Sequence, residues 1–334
     1  MALTLTPAGA TVGHAISHVV SGPPPARPLL SLPAPGKLLV SSVSGTWIVS
    51  ADGTRTRIGS WREAAWSPHG RYVAVASPRG LAAVTQRGKV LWTISRPAVT
   101  DPVWYAPSGF RVAYLSGSSL RIVAGDGTHD HLFAAHVAHV TPTWRPNHPY
   151  QVAYIRKDRV VLRDADTGRV IWTRPVRAVI KIAWSASGSR MLLLTRTHAQ
   201  VLTATGQTAT SIKVARGNPV IGGSISPDGQ EVALVRQQGV QIARLTPRPR
   251  ASIAAVSTAL SGAGIHDVEF SPNGQWLVAS WPAANEWVFL ATGQKPRLTA
   301  TSRIAQQFDL PPAGQPRLDG WCCAANSATR PRQH

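Results

Sequence analysis

Carboxylates are scarce in this chain. Its 334 residues include 15 Asp and Glu against 35 Lys and Arg, a formal net charge of +20. The few acidic residues fall mostly in turns, where Asp favours the bend, so no catalytic carboxylate pair can be read from spacing. Cysteine is nearly absent. Cys322 and Cys323 are the only two, which excludes the disulfide framework of a small secreted domain. No apolar run approaches the roughly 20 residues that cross a bilayer as a helix. Also missing are a Gly-x-Ser-x-Gly elbow, a Gly-x-x-x-x-Gly-Lys-Ser/Thr loop and a His-Glu-x-x-His pair. These absences remove the common signatures of α/β-hydrolases, P-loop enzymes and zinc peptidases. No cofactor and no metal is expected, and an enzyme is the disfavoured reading.

What is present is a repeat. An aromatic or apolar residue, then Ser-Pro or a variant, then a polar residue and Gly recurs as Trp66-Ser67-Pro68-His69-Gly70, Tyr105-Ala106-Pro107-Ser108-Gly109 and Trp144-Arg145-Pro146-Asn147-His148. It continues as Trp184-Ser185-Ala186-Ser187-Gly188, Ile225-Ser226-Pro227-Asp228-Gly229 and Phe270-Ser271-Pro272-Asn273-Gly274, with a worn seventh copy at Phe308-Asp309-Leu310. Measured at the Pro position, the steps are 39, 39, 40, 41, 45 and 38. A second, in-phase signal is a Gly-containing hairpin turn at Asp52-Gly53, Arg87-Gly88, Asp126-Gly127, Thr167-Gly168, Thr205-Gly206 and Thr292-Gly293. Apolar runs such as Tyr72-Val73-Ala74-Val75-Ala76 and Val152-Ala153-Tyr154-Ile155 lie between them, too short for helices and rich in strand formers.

A period near 40 with this chemistry predicts an all-β chain, a single closed β-propeller of four-stranded blades. Seven blades fit best, with six or eight as the alternatives. The stretch Lys37 to Ser60 holds only three strands, and Phe308 is an anchor with no complete blade after it. Ile304 to Gln307 is therefore predicted to be an inner strand pairing beside Leu38 to Ser42. Trp66, Trp144, Trp184 and Phe270 should be buried between blades. The expected organisation is an apolar then Pro-rich N-terminal linker over residues 1–36, the propeller over 37–323 and a basic tail over 324–334. Residues 1–20 make a poor signal peptide. A Pro-rich tether in front of a propeller suggests a membrane anchor or signal lost upstream of Met1; a disordered cytoplasmic N-terminus is the alternative.

The Ser-Pro-Asp-Gly and Ser-Pro-Asn-Gly turns, with Val-Ala strands behind them, resemble the WD40-like repeats of the TolB-type propeller family, related to the LpqB propeller and the N-terminal propellers of prolyl peptidases. The resemblance implies a scaffold for proteins or small ligands, often at the cell envelope. Asp164 to Trp172 resembles the tryptophan-docking pattern of quinoprotein propellers, and Gly88 to Trp92 keeps half of it. That implies a blade-packing role for Trp92 and Trp172. Asp164 and Asp166 are explained by the turn without calcium.

Two other clusters leave alternatives open. His129-Asp130-His131, with His136 and His139, places two imidazoles on one side of a strand, a spacing that chelates metal. Its place on the outer strand of the third blade favours ordinary exposed histidines. Cys322 and Cys323 could form a strained, reducible bridge or pack as small apolar residues.

Charge gives the functional expectation. In a propeller, the connections from each outer strand to the next inner strand share one face with the turns between second and third strands. Arg62, Arg96, Arg177 and Arg216 fall in the first kind, and Arg156, Arg159 and Arg196 in the second. These seven are the candidate partner-binding residues. The expectation is a monomeric, non-enzymatic binding scaffold of the cell envelope that engages a partner protein or an anionic envelope component, with no specific nucleic acid. The alternatives are an intracellular interaction scaffold or an enzyme using the central funnel.

Overall fold

The computed structural model describes residues 31–323, apart from 215–216, 247–252, 294–296 and 312–313. Among these residues, 28 strands form seven antiparallel four-stranded sheets. Blade 1 takes β1 (Lys37–Ser42), β2 (Gly45–Val49) and β3 (Arg55–Gly59). Blade 2 is β4 (Glu63–Trp66), β5 (Tyr72–Ser77), β6 (Gly80–Thr85) and β7 (Val90–Ser95); blade 3 is β8 (Val99–Trp104), β9 (Arg111–Ser116), β10 (Ser119–Ala124) and β11 (His131–Ala134). Blade 4 comprises β12 (Thr143–Trp144), β13 (Gln151–Arg156), β14 (Arg159–Asp164) and β15 (Val170–Pro175). Blade 5 comprises β16 (Val179–Trp184), β17 (Arg190–Thr195), β18 (His198–Thr203) and β19 (Thr208–Lys213). Blade 6 runs through β20 (Val220–Ile225), β21 (Glu231–Arg236), β22 (Gly239–Leu245) and β23 (Ile253–Ser261), and blade 7 through β24 (Asp267–Phe270), β25 (Trp276–Trp281), β26 (Glu286–Ala291) and β27 (Leu298–Ser302). After a helical turn, α1 (Ile304–Gln307), the last strand β28 (Arg317–Cys322) returns to blade 1, whose order is β28-β1-β2-β3. The molecule is a closed seven-bladed propeller.

The second strand of each blade is packed on both sides by neighbouring sheets, so its sequence is apolar without alternation. Val73, Ala74, Val75 and Ala76 of β5 are all fully buried. Apolar clusters fill the wedge between every successive pair of blades. The repeated Ser has a specific job. The buried Ser67, Ser226 and Ser271 hydroxyls accept the N–H of the residue five positions on, Tyr72 (3.0 Å), Glu231 (2.8 Å) and Trp276 (3.0 Å). The following Gly N–H donates back to the Ser carbonyl at 2.8 Å in each case. The turn is thereby satisfied locally around a buried Ser.

The closure differs from the expectation. Ile304–Gln307 is helical and does not pair with β1. The pairing strand is β28, with Trp321 opposite Leu38 and Lys37 opposite Cys322. Register identifies the true seventh anchor. Trp66 pairs with Val73, Trp144 with Val152, Trp184 with Met191 and Phe270 with Leu277, so Trp321 opposite Leu38 takes the equivalent place. In blade 3 the equivalent residue is Trp104, opposite Val112, one position before Tyr105. Phe308 kept the period by coincidence of an insertion. It is fully buried between Trp47 and Trp287, with ring centroids 6.0 and 5.4 Å away, and with Ile304 and Ala305 it plugs the wedge between blades 7 and 1. Trp144, Trp184 and Phe270 are buried and Trp66 is half-buried. Leu32 and Ala34 pack into the same wedge as Phe308, so the core reaches back ahead of Lys37.

The proposed docking tryptophans bridge blades. Trp92 donates its indole N–H to Gly125 O of blade 3 at 2.9 Å, and Trp172 donates to Ala204 O of blade 5 at 3.0 Å. Cys322 and Cys323 form a vicinal disulfide at the end of β28, against the Ser67 and Pro68 carbonyls of blade 2.

Candidate functional site

Backbone bonds join the two kinds of connection on one face. Ala98 N–H donates to Pro78 O at 2.8 Å, Val176 N–H to Asp158 O at 2.9 Å and Val220 N–H to Arg196 O at 3.0 Å. Six of the seven candidate arginines fall on this face, while Arg216 lies outside the described residues. Their circumstances differ. Arg62 and Arg196 are exposed and Arg156 half-buried, and none makes a side-chain hydrogen bond or ion pair among the described residues. Arg159 is exposed and reaches only Thr173 Oγ1 at 3.3 Å. Arg177 is exposed and lies 3.7 Å from the Asp158 carboxylate, itself largely exposed, which is a weak surface pair.

Arg96 is committed elsewhere. Its guanidinium, with that of Arg121, holds the Asp130 carboxylate at 2.8 Å, and Tyr114 donates its hydroxyl to the same carboxylate at 2.6 Å. Burial alone would raise the Asp130 pKa, but the hydrogen bonds from Arg121, Tyr114 and Arg96 outweigh it and hold the carboxyl below its ordinary value. Burial, reinforced by Asp130, pushes the Tyr114 hydroxyl up to about 12. Asp130 is thus the keystone of blade 3, and the flanking His131 is exposed on the outer strand, with Nδ1 against the His129 carbonyl at 2.9 Å.

Many arginines on and near the opposite face act as staples. Arg145 donates to Gly188 O at 2.9 Å, Arg190 to Gly229 O at 2.7 Å, Arg163 to Gly168 O at 2.7 Å and Arg244 to Thr292 O at 2.7 Å. Arg111 pairs with Asp166 at 3.2 Å and lies over the Tyr150 ring, while Arg55 donates to Gln307 O. A rigid guanidinium with five donors can satisfy turn carbonyls that a lysine would reach only singly, which gives the excess of Arg a structural use.

Two of the candidate residues, Arg177 and Arg196, share a cavity. A space of about 470 Å³ opens between blades 4 and 5, bounded by Arg177, Val176 and Arg174 on one side and Arg196, His198 and Leu193 on the other. Arg174 and His198 escaped the sequence reading because neither lies in a repeated motif. Their signal was positional: Arg174 is two residues past the docking Trp172, and His198 opens the third strand of the next blade.

The axial strands carry a second polar group. Thr141 donates to Asp101, whose N–H donates to Glu63. Arg317 lies 3.6 Å from Glu63 and 2.5 Å from Asp319, which also accepts from Ser41. Burial pushes the Asp319 carboxyl up to about 6 despite Arg317, which it must share with Glu63. Burial also raises Glu269, opposed by Lys181 and Ser224. These groups tie neighbouring inner strands to one another, and the contacts found among them are mutual.

No protein-family model matches the chain, and no curated protein matches it. Solved structures do. Kluyveromyces lactis Hsv2 superimposes with a TM-score of 0.63 at 13% identity, over 80% of this chain and 95% of that one. The β-propeller domain of Myceliophteria thermophila Cps50 (Swd1) gives 0.57 at 16%, over 72% and 86%. A putative 6-phosphogluconolactonase from Bacteroides uniformis gives 0.59 at 16%, over 79% and 95%. At these identities the likeness is one of fold alone, that of a seven-bladed propeller.

Proposed function

We propose that this protein is a non-enzymatic binding scaffold of the cell envelope, kin to TolB-type propellers, whose basic face engages a partner protein or an anionic envelope component. The observation that carries this reading is the contrast between the two faces. Arg62, Arg156 and Arg196 have no side-chain partner among the described residues, and Arg159 and Arg177 have weak ones. Several arginines toward the other face are committed to turn carbonyls. Uncommitted guanidinium groups sharing one face sum to a field that single surface charges lack.

The test is capture of partners from envelope and soluble fractions. Capture should weaken steeply between about 50 and 200 mM salt, as screening shortens to within roughly 10 Å. Combining Arg62→Glu, Arg159→Glu and Arg196→Glu should abolish it with the fold intact. Arg71→Glu with Arg87→Glu, both exposed, should do little. Equal loss in both variants would mean that the charge acts diffusely. Partners found only in the soluble fraction would place the scaffold inside the cell.

A further inference from the structure

We propose that the cavity between blades 4 and 5 is a binding site for a phosphate monoester, with Arg177, Arg196 and His198 on the phosphate. The inference rests on the reading of this face as anion-binding and names one place on it where a small ligand fits. The first argument is charge. Arg174, Arg177, Arg196 and His198 line the cavity, and no carboxylate does. A dianionic head with several acceptor oxygens matches such a set better than a single carboxylate, which one guanidinium satisfies.

The second argument is preparation. Arg174 is already fixed, donating to Gly206 O at 3.1 Å and Thr208 Oγ1 at 2.6 Å. The buried Thr195 hydroxyl accepts the Thr197 and His198 N–H groups and donates to the His198 carbonyl at 3.2 Å, so the turn carrying Arg196 and His198 is held. Thr197 Oγ1 lies 2.9 Å from His198 Nδ1, which orients the ring and leaves its Nε2 without a partner among the described residues. Arg196 is unpaired there and Arg177 has only the long contact to Asp158. Leu193 and Val176 offer an apolar wall for the body of the ester, and about 470 Å³ lies within the range of small-molecule sites.

The third argument is internal comparison. The wedge between blades 2 and 3 is built alike, with Trp92 docked as Trp172 is, and Ala98 and Ala178 both at positive φ. There Arg96 and Arg121 close on the Asp130 carboxylate. Between blades 4 and 5 no carboxylate lines the cavity, and the one beside Arg177, Asp158, is largely exposed and 3.7 Å away, so the arginines stand open to the cavity.

Calorimetric titration of the full chain separates the outcomes. Ribose 5-phosphate should bind at one site, at least about tenfold more tightly than inorganic phosphate, and ribose should not bind. Arg177→Gln with Arg196→Gln should weaken binding by at least about tenfold with an unchanged melting temperature, whereas Arg62→Glu with Arg159→Glu should leave it intact. Flotation with phosphatidic acid vesicles against phosphatidylcholine vesicles, lost in the same Gln variant, would identify the ester as a lipid headgroup. Failure of ribose 5-phosphate and of phosphatidic acid alike, or equal loss in both variants, would overturn the proposal. Partner capture that depends on Arg62 and Arg159 while no ester binds would leave the broader reading standing. Ester binding without any partner capture would do the reverse.

Discussion

Trp172 and Gly206 occupy facing surfaces of blades 4 and 5, and each dictates the other. The indole N–H reaches Ala204 O at 3.0 Å, and a Cβ on Gly206, at φ 80°, would lie 2.8 Å from the ring. The same relation holds between Trp92 and Gly127, at φ 87° with 2.6 Å to the ring. Gly206→Ala should therefore cost about 1–3 kcal/mol from overpacking and left-handed strain. Trp172→Ala should cost about 3 kcal/mol by cavity and lost burial. Urea unfolding of the two single variants and the double variant measures both, and the double variant should fall short of additivity because removing the indole relieves the clash that the new Cβ makes.

Truncation before Arg317 should unfold the protein, because it strips the inner strand from blade 1 and Trp321 from the wedge with blade 7. Deleting everything after Thr301 should do the same. At the other end, a chain beginning at Gly36 loses the buried Leu32 and Ala34 and should melt several degrees below one beginning at Ser31, for about 2 kcal/mol of lost burial. Circular dichroism melts compare them.

Asp130→Asn should destabilise by about 3–5 kcal/mol, since it leaves Arg121 and Arg96 facing each other without their carboxylate. The folded pKa of Asp130 lies below its ordinary value of 3.8. Its contribution is therefore present above about pH 4 and lost as pH falls further.

Asp319 titrates in the opposite sense. Its carboxyl is pushed up to about 6 from 3.8, so the folded state holds a proton that the unfolded chain has released. Its contribution is greatest below about pH 4, declines as pH rises to about 6 and is flat above, a span on the order of 1–3 kcal/mol. Asp319→Asn should flatten the stability curve across that window in denaturant titrations at pH 4.5 and 7. An unchanged slope would show that Arg317 compensates the charge fully.

The blade count was legible because the Ser-Pro turn is self-contained: Ser67, Ser226 and Ser271 close their loops with their own hydroxyls, so the signal survives in local sequence. The closing strand was not. Its anchor Trp321 follows Phe270 after an insertion that carries α1, and Phe308 stood where the period called for an aromatic. Six of the seven candidate arginines lie in the connections where the strand order puts them, since face follows from connection type, and Arg216 lies outside the described residues. What each does depends on contacts far apart in sequence. Arg96 meets Asp130 34 residues away, and nothing near Arg96 foretells that carboxylate. The gathering of Arg177, Arg196 and His198 around one cavity likewise arises from blade packing, which no linear spacing encodes.

Blade 1 is assembled from strands separated by almost the whole propeller, and synthesis makes that a matter of timing. Leu38 to Val40 precede their partner Leu318 to Trp321 by about 280 residues, roughly 14 to 56 s at ordinary rates of elongation. Throughout that interval the nascent chain carries an apolar strand with an unsatisfied edge. Until β28 is made, that edge is free to pair with the wrong strand.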